Sequence, residues 1–215
     1  LASQNFTTAI DSHNVAVGFA TGEAITTGVQ NTLVGSQAGD ALSDADFNVA
    51  IGTDALTVDT KGSRSIAIGR RTLYAQNFTT STDAYNVAVG FEAGNDITTG
   101  VENTLIGGFA GDAITDADYN VAIGQSALST NLLGSRSVAL GATALYTQNP
   151  ATAADMYNTA VGYNAGYGIT TGINNTLIGG NSGDALTDAS SNVALGYVSL
   201  TANTRGHDNV AVGRG

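Results

Sequence analysis

Asn14-Val15-Ala16-Val17-Gly18 decides how this chain is read, because the same five-residue pattern keeps returning. Copies start at Asn14, Asn31, Asn48, Ser65, Asn86, Asn103, Asn120, Ser137, Asn158, Asn175, Asn192 and Asn209. Successive starts lie 17, 17, 17 and 21 residues apart, and the series then repeats. Four copies therefore form a unit of 72 residues, and three units tile the chain as 1–72, 73–144 and 145–215. Residues outside the motif return with it. Gln4-Asn5-Phe6-Thr7-Thr8 recurs as Gln76-Asn77-Phe78-Thr79-Thr80, and Gly39-Asp40-Ala41-Leu42 recurs as Gly111-Asp112-Ala113-Ile114.

A period of 17 residues is too short for a helical hairpin or for a leucine-rich repeat with strand and helix. It suits one coil of a β-solenoid. Val15 and Val17 alternate with Ala16, the period of a strand. Gly18 closes the motif, as Gly does in every copy, which fits a turn with positive φ or a close approach of backbones. Asn leads most copies, and stacked Asn side chains hydrogen-bond along an axis. The expected fold is all-β: a parallel β-solenoid, or β-roll, forming a single continuous domain of about twelve 17-residue rungs. Its turn and ladder residues are Asn14, Gly18, Asn31, Gly35, Asn48, Gly52, Asn86, Gly90, Asn120 and Gly124. The four extra residues of the longer rungs fall between Leu73 and Asn86 and between Leu145 and Asn158, where a protruding loop is expected. Rungs stacked about 4.8 Å apart would make a rod roughly 55–60 Å long.

Both faces of the motif strand are apolar. The larger side chains, such as Val15 with Val17 and Val49 with Ile51, suggest the interior of the coil. The middle residue would then point outward. Ala16, Leu33, Ala50, Ala88, Leu105, Ala122 and Leu177 would form a long apolar stripe, which solubility disfavours unless it is covered. They are expected to line an interface between copies, closed by rotational symmetry.

Ser65-Ile66-Ala67-Ile68-Gly69, Asn120-Val121-Ala122-Ile123-Gly124 and Ser137-Val138-Ala139-Leu140-Gly141 resemble the head repeats of trimeric autotransporter adhesins. Asn103-Thr104-Leu105-Ile106-Gly107 resembles the related repeats of phage tail fibres. The resemblance implies a left-handed roll, a homotrimer, and a place on a cell surface or in a virion tail fibre. It implies a structural or adhesive role as shaft or head of a fibre, with sister chains as partners and a cell-surface glycan or protein as receptor.

Composition narrows the alternatives. Charged residues make up 12% of the chain, there are 28 Gly, one Pro and no Cys, and the net charge is −11. That acidity argues against nucleic acid, whose binders carry basic patches, and against docking to anionic membranes. No run is long enough for a transmembrane helix, so membrane insertion is not expected. Leu1-Ala2-Ser3 opens in mid-pattern without an initiator Met or leader, as in a segment cut from something longer.

Residues arranged for chemistry are few. His13 and His207 read as turn residues, and Gly107-Gly108-Phe109-Ala110-Gly111 as a rung turn with no helix behind it to cradle a phosphate. Asp40, Asp44 and Asp46 recur as Asp112, Asp116 and Asp118, a spacing that suits calcium weakly and solvated turns better. No cofactor or catalytic set is indicated, and the chain is not expected to be an enzyme. An ice-binding solenoid would need Thr on successive rungs, and Thr26-Thr27, Thr98-Thr99 and Thr170-Thr171 come once per four rungs. A glycan-degrading or glycan-binding solenoid would need carboxylates gathered at one point of the rod. The seven basic residues cluster near the fourth rungs, with Asp54 and Asp59 as expected partners. Tyr74, Phe78, Tyr85, Tyr146 and Tyr157 mark the longer loops and motif edges.

Overall fold

The computed structural model describes residues 11–215, which form a parallel β-solenoid of about 12 turns and, among the described residues, no helix. The first copy of the Gln4–Thr8 pattern lies outside the described residues. In chain order the first six strands are β1 (Val15–Val17), β2 (Thr32–Val34), β3 (Val49–Ile51), β4 (Gly62–Ser63), β5 (Ile66–Ile68) and β6 (Thr82–Asp83). The next six are β7 (Val87–Val89), β8 (Thr104–Ile106), β9 (Val121–Ile123), β10 (Gly134–Ser135), β11 (Val138–Leu140) and β12 (Ala154–Asp155). The last four are β13 (Thr159–Val161), β14 (Thr176–Ile178), β15 (Val193–Leu195) and β16 (Val210–Val212).

The motif strands stack into one 12-stranded parallel sheet in the order β1-β2-β3-β5-β7-β8-β9-β11-β13-β14-β15-β16. Register never slips: Ala16 lies over Leu33, Leu33 over Ala50 and Ala50 over Ala67. The 21-residue rungs keep that register because their extra residues leave the coil. Each is tied back by a two-residue ladder, Gly62 with Thr82 in β4–β6 and Gly134 with Ala154 in β10–β12.

The expected sidedness of the motif strand is reversed. Leu33, Ala50, Ala88, Leu105, Ala122 and Leu177 have no exposed surface in a single chain, and Ala16 in the first rung is partly covered. They fill the coil rather than an interface between copies. Val15 and Val17, assigned to the interior, are 49% and 58% exposed. The cause is volume. The coil is only a few side chains wide, and the motif strand faces a second layer packed just as tightly; two Val or Ile per rung would overfill it.

Volume is also traded between positions inside the coil. In the second rung Leu33 projects over Gly39, and a Cβ on Gly39 would sit 3.0 Å from a Leu33 methyl. In the third rung the motif residue shrinks to Ala50 and Leu56 replaces the glycine. The same exchange relates Leu105 and Gly111 to Ala122 and Leu128. Large against small on facing positions keeps these rungs filled, whereas in first rungs such as Ala88 with Gly94 the space is taken by Leu73 and Leu105 of the neighbouring rungs.

The Asn ladder does two jobs. Asn31 Nδ2 donates to the Ala45 carbonyl at 2.8 Å, closing its own coil, while its Oδ1 accepts the backbone N–H of Asn48 at 2.9 Å. Asn48, Asn103, Asn120, Asn175 and Asn192 act alike. Ser leads the two complete 21-residue rungs, whose closing carbonyl has moved out with the loop. Buried glutamines take over there: Gln76 and Gln148 each accept from the Asn of the next rung, Asn86 and Asn158, at 2.9 Å, and donate back to Ser65 and Ser137. The ladder is therefore reset at every unit boundary.

The motif glycine is required by both of the reasons expected. Gly35 has φ +138°, and a Cβ there would be driven into the carbonyl of Gly52 one rung away. Only glycine lets the rungs come this close at the corner.

Candidate interaction face

With Ala turned inward, the outside of the 12-stranded sheet carries two columns of β-branched and aliphatic side chains. One runs Val15, Thr32, Val49, Ile66, Val87, Thr104, Val121, Val138, Thr159, Thr176, Val193 and Val210. The other has no polar member and includes Ile51, Ile68, Ile106, Leu140, Ile178 and Leu195. Strand spacing makes the strip roughly 53 Å long and about 10 Å wide. That is close to the largest apolar patch tolerated on a monomer, about 300–600 Å².

Aromatic and arginine side chains rim this face. On the edge before the motif, Phe47, Arg64 and Tyr85 occupy consecutive rungs, with the Arg64 guanidinium 4.6 Å from the Phe47 ring centre and 5.8 Å from that of Tyr85. Asp83 holds the stack: Arg64 Nε lies 3.0 Å from its carboxylate, and the Tyr85 hydroxyl donates to it at 3.3 Å. The next unit rebuilds the cluster. Arg136 lies over Tyr119 at 4.5 Å and pairs with Asp155 at 3.0 Å, and the Tyr157 hydroxyl donates to Asp155 at 3.1 Å. On the opposite edge Phe91 meets Phe109 edge-on at 5.2 Å beneath Arg70, and Arg214 covers Tyr197. Stacked arginines of this kind contribute about 0.5–1 kcal/mol each at exposed sites. A signal for these rims was present: each residue directly precedes a motif Asn or Ser, directly follows a motif Gly, or, in Phe109, lies one place further on.

Of the aromatics at the longer loops and motif edges, Tyr85 and Tyr157 are exposed and the others pack against the coil. Phe78 is only 6% exposed and plugs the base of the first loop, where Met156 does the same for the second. Tyr146 stacks flat on Tyr167 at 5.2 Å, and Tyr74 lies under Arg71.

The carboxylates proposed for calcium are spread over other tasks. Asp46 Oδ1 accepts the Val29 amide, and Asp118 Oδ1 accepts the Val101 amide, both at 2.8 Å. In the third unit Ser190 Oγ takes the same role toward Ile173, so a hydroxyl replaces a carboxylate without loss of the bond. Asp44 faces Lys61 at 3.8 Å, and Asp116 accepts from Thr115. Partial burial raises the carboxyls of Asp40 and Asp112 above the ordinary value. Ser129 opposes the shift at Asp112 by donating to it at 2.5 Å, whereas Asp40 Oδ1 is buried without a partner. Among the described residues no group of three or more His, Asp or Glu is placed to hold a metal.

The basic residues other than Arg214 pair locally with carboxylates, though not with Asp54 or Asp59. Their partners are Asp44, Asp83, Glu92, Asp155 and Asp188. Asp59 is instead fully buried, accepting from Gly62, Phe78 and Gln76. His13 takes a left-handed turn conformation at φ 51°, and His207 accepts the Ser190 amide. The first Thr of each Thr-Thr pair, Thr26, Thr98 and Thr170, donates its hydroxyl to the carbonyl of the next rung, so these hydroxyls stitch rungs together. Among the described residues no helix is long and apolar enough to cross a membrane.

No family model, curated protein or solved structure matches this chain.

Proposed function

We propose that this solenoid is the rigid structural module of an extracellular fibre, a shaft or head of a phage tail fibre or bacterial surface adhesin, assembled as a left-handed homotrimer. One observation carries the reading: an unbroken Val/Ile/Leu column, beside a second column of Val, Ile and Thr, runs the length of the sheet and is exposed or half-buried in a single chain. Burial of that face against sister chains removes it from water at about 25 cal/mol per Å². A rotational oligomer covers it on every copy at once. Hand, trimeric count and fibre context come from the likeness of the motif to adhesin and tail-fibre repeats. The role is passive: the number of rungs sets length, the stacked ladders set stiffness, and a cell-surface glycan or protein is the receptor.

Light scattering on the purified chain tests this. The mass of three chains is expected for the native sequence, falling to one chain in the variant Ile68→Lys/Ile123→Lys. A native chain that runs as a monomer with its face uncovered would overturn the reading.

A further inference from the structure

The corner that leads into the motif strand carries a ladder of its own. Phe47, Arg64, Tyr85, Glu102, Tyr119 and Arg136 occupy it in consecutive rungs. All of them have the same left-handed backbone, with φ between 50° and 63°, so each side chain leaves the coil in the same direction. The result is a column in which rings alternate with charges. Between Phe47 and Tyr85 the gap is filled: Arg64 lies 4.6 Å from one ring centre and 5.8 Å from the other, and Asp83 holds its Nε at 3.0 Å. Two rings set two rungs apart, about 9.6 Å, thus admit one guanidinium between them.

Between Tyr85 and Tyr119 the same spacing returns without a cation. Glu102 stands there instead, and the electron-rich faces of the rings do not attract its carboxylate. Glu102 is exposed and makes no ion pair or side-chain hydrogen bond among the described residues. A second carboxylate adjoins it, since Asp118 Oδ1 takes the Val101 amide at 2.8 Å. Both walls are held from outside the gap: Asp83 accepts the Tyr85 hydroxyl at 3.3 Å, and Arg136, one rung beyond, covers Tyr119 at 4.5 Å. The two rings are 50% and 41% exposed.

We infer that this notch takes the guanidinium of an arginine from a partner protein, stacked between Tyr85 and Tyr119 and paired with Glu102. A flat guanidinium fills a slot between two rings, and a compact ammonium does not. Attraction to each ring and an ion pair then act on one group. Arginine is also among the side chains that most often anchor protein interfaces. The notch needs only one chain. It stands at the corner, outside the two columns of the apolar face, and does not depend on the assembly proposed above.

Saturation-transfer NMR on the purified chain with Nα-acetyl-arginine amide tests this, because its blocked ends leave the guanidinium as the only charge. The native protein is expected to bind it and to ignore the neutral isostere Nα-acetyl-citrulline amide. Glu102→Gln should weaken binding about three- to five-fold, as expected for loss of an exposed pair. Tyr119→Ala, which removes one wall, should weaken it about two- to five-fold. Asp96→Asn removes an exposed carboxylate stacked between Ala75 and Ala113 and should change nothing. Glu102→Arg supplies the guanidinium from the chain itself, so it should abolish binding and raise the thermal midpoint. No transfer to the native protein, full binding by Glu102→Gln, or an equal loss in Asp96→Asn would overturn the inference. So would a lowered midpoint in Glu102→Arg, which would show that the rings do not admit a guanidinium. None of these outcomes bears on the mass measured by light scattering, so either reading can fail alone.

Discussion

Asn48 donates its backbone N–H to Oδ1 of Asn31 at 2.9 Å, and Asn31 spends its own Nδ2 on the Ala45 carbonyl. One side chain thus closes a coil and seats the next one. Replacing Asn31 by Asp removes the closing donor and places an anion beside the carbonyl it used to bind. Leaving a buried group unsatisfied costs about 1–3 kcal/mol, more when charge is involved. We expect Asn31→Asp to lower the urea midpoint by more than Asn14→Asp, whose rung is only partly covered. In a solenoid, loss at an inner rung severs two neighbour interfaces. Equal midpoints for the two variants would show that the ladder does not couple the rungs.

Gly52 and Gly213 have the same motif position and similar backbone, φ +138° and +123°. A Cβ on Gly52 would strike the Gly69 carbonyl, whereas one on Gly213 meets nothing within 4 Å. Gly213→Ala should cost about 1–2 kcal/mol, from left-handed strain alone. Gly52→Ala should cost clearly more, because a backbone carbonyl must move and with it the rung above. Thermal unfolding of the two variants side by side separates strain from collision.

The repeat length, the number of rungs, the place of the loops and the need for glycine were all legible in spacing. Which side of the strand faces inward was not legible in the motif alone, because alternation defines two faces without naming them and both are apolar. The deciding clue lay two residues upstream. Asn14 and Ala16 share a face of the strand, and an Asn that must close its own coil has to point inward, carrying Ala inward with it. The rim aromatics were legible as positions next to the motif, but their exposure depended on knowing that sidedness. Buried Asp59 and Gln76 could not be foreseen, since their partners come from a loop that leaves the regular coil.

Leu33 and Gly39 share one volume inside the second rung. Leu33→Ala alone should cost about 2–5 kcal/mol through the cavity it leaves. Gly39→Leu alone should also destabilise, by overpacking against Leu33 and Leu42. Together they recreate the Ala50/Leu56 pattern of the next rung, where Leu56 adopts φ 53°, close to the +57° of Gly39. The double variant should therefore lose less stability than the sum of the singles, a coupling a double-mutant cycle measures directly. Strict additivity would mean that the two positions do not share space.

The contribution of Asp40 to stability should be more favourable in acid than at neutral pH, against the usual behaviour of carboxylates. Burial raises its folded-state value above the ordinary 3.8, and its Oδ1 has no partner. A raised carboxyl means that folding favours the protonated form. That contribution is complete below the unfolded value and is lost as pH climbs through the higher folded value. At pH 7 the ionised Asp40 is thus a burden on the fold, and Asp54 adds repulsion. Asp40→Asn, which cannot ionise, should raise the urea midpoint at pH 7 and change it little near pH 3. Asp112→Asn should follow the same trend, with the hydrogen bond that Ser129 donates to Asp112 opposing it. A stabilisation of equal size at both pH values would assign the effect to packing, and a destabilisation at pH 7 would show that the Asp40 charge is satisfied in solution.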